Sequence, residues 1–465
     1  MVRSLRVVLL VVSVAGCSRR EEPAPQASPL AEPAVAKGIA YLVERQSAEG
    51  AWRSDGYATF RDGTALTPLV LGALLDAADA GFDTTESAAA RKRAAAWLAK
   101  FAQPDGTIDP GPDGLEYPVY TAALSVQALS HPECVEHRSA RDAWVKFLQE
   151  RQLTEELGWN PDDKPYGGWG YCRVRPRKPQ PGAFAPPLVE SNLSATVFAL
   201  AALHAAAALD ATTANRAAVF VRRCQNADGG FHFIYDDPVR NKAGVQALEP
   251  LRFHSYGSTT ADGLRALMLC GLAAHAEERQ AAQRWLSTHF RADTHPGVYV
   301  PTHEPNREAV YYYYVASVAQ ALRDRLIASA EAGDWATALT AELIRRQRSD
   351  GSWANPVELI RENEPLVATS YAVSALAKTA RANPLVVAHR LGHEGANLAS
   401  QLRHVTQVVG VQAVGQENHG CLGTRVDPDG CSGEAGVAVS RAFGEGIAAG
   451  SRVAGLHVPA ERAFA

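Results

Sequence analysis

The sequence predicts an all-α fold, a ring of six outer and inner helix pairs, on three observations. A Gln, Gly, aromatic spacing recurs along the chain; each copy follows an amphipathic stretch; and each precedes a bland stretch rich in Ala, Ser and Thr. Recurrence at a fixed grammar is the mark of a repeat architecture, in which each unit buries its apolar face against the next.

The clear copies are Gln46, Gly50 and Trp52; Gln225, Gly229 and Phe231; and Gln347, Gly351 and Trp353. A shortened copy runs from Gln103 through Gly106 to Ile108, and weaker ones lie around Gln152 to Trp159 and Trp285 to Tyr299. The copies stand roughly 50 to 75 residues apart, which makes six units. A segment such as 213–225 puts apolar residues on one helical face and charges on the other, as an outer helix does. The following Asp-Gly or Glu-Gly supplies the left-handed residue that stops it. Segments 64–78, 119–129, 190–206, 257–272, 311–322 and 367–380 carry little charge and suit close packing in an interior, with Ser191, Asn192 or Thr259 as N-caps. Six such pairs close into an (α/α)6 toroid. Within each joint, a Gln on the last helical turn satisfies free carbonyls while the aromatic ring packs over the junction. Gln46, Trp52, Gln225, Phe231, Gln347 and Trp353 are therefore read as structural.

The ends differ from the repeat. Arg3 and Arg6 precede an apolar run that closes on Val14-Ala15-Gly16-Cys17, too short to span a bilayer as a mature helix. It resembles a bacterial lipoprotein signal, which implies lipidation at Cys17 and a place on the periplasmic face of the cell envelope; Ser18 favours the outer membrane. Residues 1–17 are thus read as signal, 18–33 as a Pro/Ala-rich tether, 34–382 as the toroid and 383–465 as a low-order tail with no repeat and little aromatic content. A net charge of -4 and the lack of a long basic run speak against nucleic acid. Beyond Cys17, six cysteines allow 15 pairings, and none is assigned.

The joint spacing, together with "YGGWGYC", "NLSATVFALAAL", "CQNADGGF", "SYGSTTADGLRAL" and "YYYYVASVAQAL" in that order, resembles the prenyltransferase and squalene-cyclase repeat superfamily over about residues 34–382. The resemblance implies the terpenoid cyclase or protein prenyltransferase type of toroid. It does not carry over an activity. Over residues 34–382 the Asp-x-Asp-Asp of protonating cyclases, the Asp-x-Cys of zinc prenyltransferases and the Gly-Cys-Gly-Glu-Gln of thioester domains are all missing. No cofactor or metal is expected, and His389, His393, Cys421 and Cys431 lack zinc-ligand spacing.

The remaining candidates for chemistry are Asp162 and Asp163, a carboxylate pair beside an aromatic loop. Trp169, Tyr171, Tyr256, Asp262, Tyr312 and Tyr313 are candidates for a central cavity, although Asp262 also reads as a first-turn capping carboxylate. The expected function is an envelope-anchored binding or scaffold protein for an isoprenoid or another envelope ligand. Two alternatives stand beside it: a cyclase-like enzyme with a non-standard acid, and a carbohydrate-active enzyme using paired carboxylates.

Overall fold

A computed structural model describes residues 31–382. Cys17, the tether up to residue 30 and the tail from 383 lie outside the described residues. Within them the chain is helical apart from one small hairpin. Six long helix pairs follow one another: α1 (Ala31–Glu44) with α2 (Leu66–Asp79), α3 (Thr85–Ala99) with α4 (Pro118–Leu129), α5 (Arg138–Gln149) with α6 (Leu193–Ala205), and α7 (Ala211–Arg223) with α8 (Gly257–Leu269). Then come α9 (Glu277–His289), the short α10 (Pro305–Ala309) and α11 (Tyr311–Arg323), and finally α12 (Ser329–Arg346) with α13 (Pro365–Ala382).

The first helix of each pair is outer and the second inner. Helix α5 buries Ala140, Ala143, Trp144 and Leu148 and leaves Arg138, Arg141 and Lys146 at its surface, whereas α4 and α8 are buried almost throughout. The inner helices pack in the closed order α2, α4, α6, α8, α11, α13 and back to α2. That cycle is the (α/α)6 toroid. No helix among the described residues is long and apolar enough to cross a membrane.

The joints share one wiring. Gln46 Nε2 donates to Gly50 O at 2.9 Å and to Ala90 O, on the next outer helix, at 2.8 Å. Gln225 does the same to Gly229 O and Glu278 O, and Gln347 to Gly351 O and Ala34 O. The last of these bonds links the sixth unit to the first and closes the ring. The aromatic residue works inward: the backbone N–H groups of Trp52, Phe231 and Trp353 donate to Thr67, Thr260 and Thr369 Oγ1 in the first turns of the inner helices. The indoles of Trp52 and Trp353 donate back to Leu42 O and Leu343 O on the outer helices.

The third joint corrects the expected spacing. Gln152 Nε2 donates to Gly167 O and to Thr213 O, and Trp169 N–H meets Thr196 Oγ1 while its indole meets Leu148 O. Residues 153–166 form an insertion, closed by Leu153 N–H to Gly168 O and Gly167 N–H to Leu153 O. Trp169, not Trp159, is therefore the joint aromatic. In the second joint Ile108 cannot donate, and Trp144 from α5 supplies the indole bond, to Leu98 O at 3.3 Å.

Two further departures are local. The segment before α8 forms a hairpin, β1 (Val245–Leu248) and β2 (Leu251–Phe253), paired antiparallel around Glu249-Pro250. Of the expected caps, Asn192 accepts from Ala195 N–H at 2.9 Å, whereas Thr259 lies inside α8 and bonds Phe231 O and Tyr256 O. The described cysteines, Cys134, Cys172, Cys224 and Cys270, are buried and free.

Candidate functional site

The inner helices enclose a cavity of about 240 Å³, to which all six contribute. The joints sit at their N-terminal turns, and the cavity opens toward their C-terminal ends. Asp262 is 2% exposed, whereas the side chains of Asp79 and Arg323 are 31% and 39% exposed. Asp262 thus belongs to the floor, and the charged cluster to the mouth.

The floor is acid and aromatic. Tyr313 donates its hydroxyl to Asp262 Oδ2 at 2.6 Å and also contacts Ser194 Oγ. The Phe198 ring lies parallel to Tyr313 at 6.4 Å, and Tyr371 meets Tyr313 edge-on at 5.7 Å. Burial is the largest influence on Asp262 and raises its pKa; the Tyr313 hydrogen bond and the Arg265 charge oppose it without cancelling it. Tyr313 is itself fixed from behind. Both oxygens of the buried Glu362 accept backbone N–H groups in the first turn of α11, from Tyr312 and Tyr313, each at 2.8 Å. Burial pushes the Glu362 carboxyl up to about 8 against those two bonds.

The mouth is a salt-bridge cluster. Asp76 pairs with Arg323 at 3.1 Å and Lys378 at 2.8 Å, and Ser374 Oγ donates to it at 2.6 Å. Arg265 pairs with Asp324 at 3.0 Å, and His131 Nε2 lies 3.1 Å from Asp79. Burial lowers the Lys378 pKa, with the Asp76 charge opposing and the Arg323 charge adding to it.

Of the residues singled out from sequence, the cavity takes Asp262 and Tyr313. Asp262 lies in the second turn of α8, past the reach of a capping residue; the first turn is served by His295 Nε2, which accepts Ser258 N–H at 2.9 Å. Trp169, Tyr171, Tyr256 and Tyr312 do not line the cavity. Trp169 is held in its joint, Tyr171 pairs its hydroxyl with Tyr120 at 2.8 Å, Tyr256 packs against His295 and Tyr299, and Tyr312 packs edge-on against Tyr311. Helical geometry turns successive residues of the Tyr run about 100° apart, so one of the four faces the axis. Tyr311 and Tyr314 instead donate to Ala292 O and Arg291 O at 2.7 Å.

Asp162 and Asp163 also stand away from the cavity, in the turn of the third joint's insertion. Asp162 is exposed. Asp163 accepts from Lys178 Nζ at 2.7 Å and from Asn160 N–H at 2.8 Å. Partial burial works to raise its pKa, and the Lys178 and Asn160 contacts outweigh it, so the carboxyl stays below its usual value. Such a carboxylate is a turn-former held ionised.

Sequence reasoning missed Phe198, Tyr371, Arg265, Arg323, Lys378 and Asp76. A signal for the charged ones was present. Among the described side chains, the Asp, Glu, Lys and Arg of the inner helices are Asp76, Asp79, Asp262, Arg265, Arg323 and Lys378, and all six line the cavity. A charge in an otherwise bland inner helix marks the axis.

Fold and site together define an α/α toroid with an internal, axially placed site. The chain belongs to the prenyltransferase alpha-alpha toroid domain family, which matches residues 118–297 and 187–391. Comparison with curated proteins finds no match. Among solved structures, a variant of the type II terpene cyclase MstE from Scytonema, in complex with geranylgeranyl dihydroxybenzoate, is similar at 15% identity and a TM-score of 0.50, covering 76% of this chain and 98% of that one. A possible member of the GH105 family from Klebsiella pneumoniae subsp. pneumoniae is 14% identical, with TM-score 0.47 and 80% and 99% coverage. Cellobiose 2-epimerase from Spirochaeta thermophila is 12% identical, with TM-score 0.47 and 78% and 100% coverage. At 15% identity, the likeness to the cyclase concerns the fold alone.

Proposed function

We propose that this protein is an envelope-anchored binding protein that holds a small amphiphile in the central cavity. The observation that carries the reading is the cavity's polarity: Leu69, Leu124, Phe198 and Ala201 offer hydrocarbon contact, and Asp262, Arg265 and the Asp76 cluster offer polar contact. Its size points to a small ligand, because about 240 Å³ lies below the roughly 300–1,000 Å³ of sites for drug-sized molecules. The lipoprotein-like segment ending at Cys17 supports the anchor.

A second reading, acid chemistry of the cyclase kind, has Asp262 in its favour, since a buried carboxyl among Phe198, Tyr313 and Tyr371 resembles a proton donor in an aromatic chamber. Against it stand the missing Asp-x-Asp-Asp and the mouth of the cavity, which is lined by charged side chains, Asp76, Arg323 and Lys378, where a carbocation would need aromatic walls. Binding is therefore the better account.

Native mass spectrometry of protein recovered from its producing cells tests the reading. Wild type should carry a ligand adduct that Ala201→Trp, whose indole would fill the cavity, lacks. Wild type and a folded variant each at the mass of its own polypeptide, with no adduct on either, would overturn it, as would the same adduct on both.

A further inference from the structure

The cavity wall is divided between two halves of the ring. Helices α2, α4 and α6 supply Leu69, Leu124, Phe198 and the small side chains between them, with Asp76, Asp79 and Gln127 toward the mouth; α8, α11 and α13 supply the cations Arg265, Arg323 and Lys378, with Ser317, Gln320 and Ser374 among them. The second half is thus rich in donors. Asp262 is the carboxyl on that side, and it is occupied by Tyr313.

The three cations also have donors to spare. Arg265 engages Asp324 through Nε, and Arg323 engages Asp76 through Nη1; among the described residues their other guanidinium N–H groups make no hydrogen bond, and Lys378 Nζ, on Asp76 and Ser374, keeps one of its three. Helix C-termini attract cations, which accounts for Arg323 in the last turn of α11. It does not account for Arg265 or Lys378, which stand a turn or more before the ends of α8 and α13. The carboxylate that meets Arg323 and Lys378 is Asp76 of α2, the helix beside α13 in the ring, which also brings Asp79 to the mouth.

We infer that the ligand is a compact hydrocarbon bearing one carboxylate, with its acid group on Arg265, Arg323 and Lys378 and its apolar body on the α2, α4 and α6 wall. This rests on the cavity being a binding site, and it names the ligand's class. Asp76 holds Arg323 and Lys378 in place and competes with the ligand's carboxylate for them.

Three probes with one body and different heads test it by calorimetry on the full chain: adamantane-1-carboxylate, adamantan-1-ol and 1-adamantylammonium. The carboxylate should bind about 10-fold or more tighter than the alcohol, the worth of one charge-assisted hydrogen bond. Arg265→Gln and Lys378→Gln should each reduce that margin while alcohol affinity stays within about twofold, which also reports that the variant is folded. Asp76→Asn should strengthen carboxylate binding. Tightest binding of the ammonium, or equal binding of all three, would overturn the acid class and leave the cavity reading standing. Binding of none would overturn both.

Discussion

Tyr313 on α11 donates its hydroxyl to Asp262 on α8 across 2.6 Å, and this bond ties two inner helices together at the floor of the cavity. Glu362 fixes the turn that carries the tyrosine, so three buried groups in series set where the acid stands. Tyr313→Phe should cost about 1–2 kcal/mol of stability, since it takes the stronger of two hydroxyl donors, Tyr313 and Ser317, from a buried carboxyl. It should also raise the Asp262 pKa further, because the lost bond favoured the ionised form. Denaturant unfolding reads the first effect and infrared titration of the Asp262 carboxyl the second; an unchanged or lowered pKa would contradict the assigned direction.

Stability should fall as pH rises across the neutral range. The folded Glu362 pKa of about 8 stands above its ordinary 4.5, so the native state binds a proton that the unfolded state has lost. The contribution is present in full below the unfolded value, is lost as pH climbs through the folded one, and is flat beyond it. Asp262 adds the same sign from lower pH. Urea unfolding of wild type and Glu362→Gln at intervals from about pH 5 to 9 should show a steeper fall of stability with pH in wild type than in the variant. A wild-type stability that rises with pH in that window, by an amount removed in the variant, would reverse the sign.

The joints should be energetically alike. Gln46, Gln225 and Gln347 each give two bonds, one within the joint and one to the next outer helix, so each Gln→Ala change should cost about 1–3 kcal/mol. Thermal unfolding of the three variants checks this. A much larger effect at Gln347 alone would mean that ring closure, not the joint itself, carries the stability.

Two glycines separate backbone conformation from crowding. Gly106 and Gly167 both have positive φ, +76° and +89°, but a Cβ at Gly106 would meet nothing within 4 Å, whereas at Gly167 it would lie 1.9 Å from Arg216 O. Gly106→Ala should therefore cost about 1 kcal/mol, and Gly167→Ala about 3 kcal/mol or more. Equal costs, measured by denaturant unfolding, would show that the third joint can yield where it meets α7.

The joints were legible because Gln, Gly and aromatic residues do one local job at fixed separation. Where residues 153–166 stretch that separation, the reading slipped from Trp169 to Trp159, and Trp169 was sent to the cavity instead. The cavity was harder for a different reason. An inner helix is buried on nearly every side, so apolar periodicity gives it no direction, and nothing local distinguishes Phe198 or Tyr371 from their packed neighbours. Asp262 and Tyr313 were found by residue type. Asp162 and Asp163 were chosen on the same grounds, but an adjacent Asp pair before Lys-Pro is equally the chemistry of a turn.

The most direct test of the central claim, that the ligand lies inside the ring and not on its rim, is a calorimetric titration of the amphiphile extracted from the native protein. The titration is run against delipidated wild type, Ala201→Trp and Gln225→Ala. Burying the ligand against Phe198, Leu69 and Leu124 predicts that Ala201→Trp loses binding while the joint variant binds like wild type. Equal binding by a folded Ala201→Trp would place the ligand outside the cavity and contradict the account.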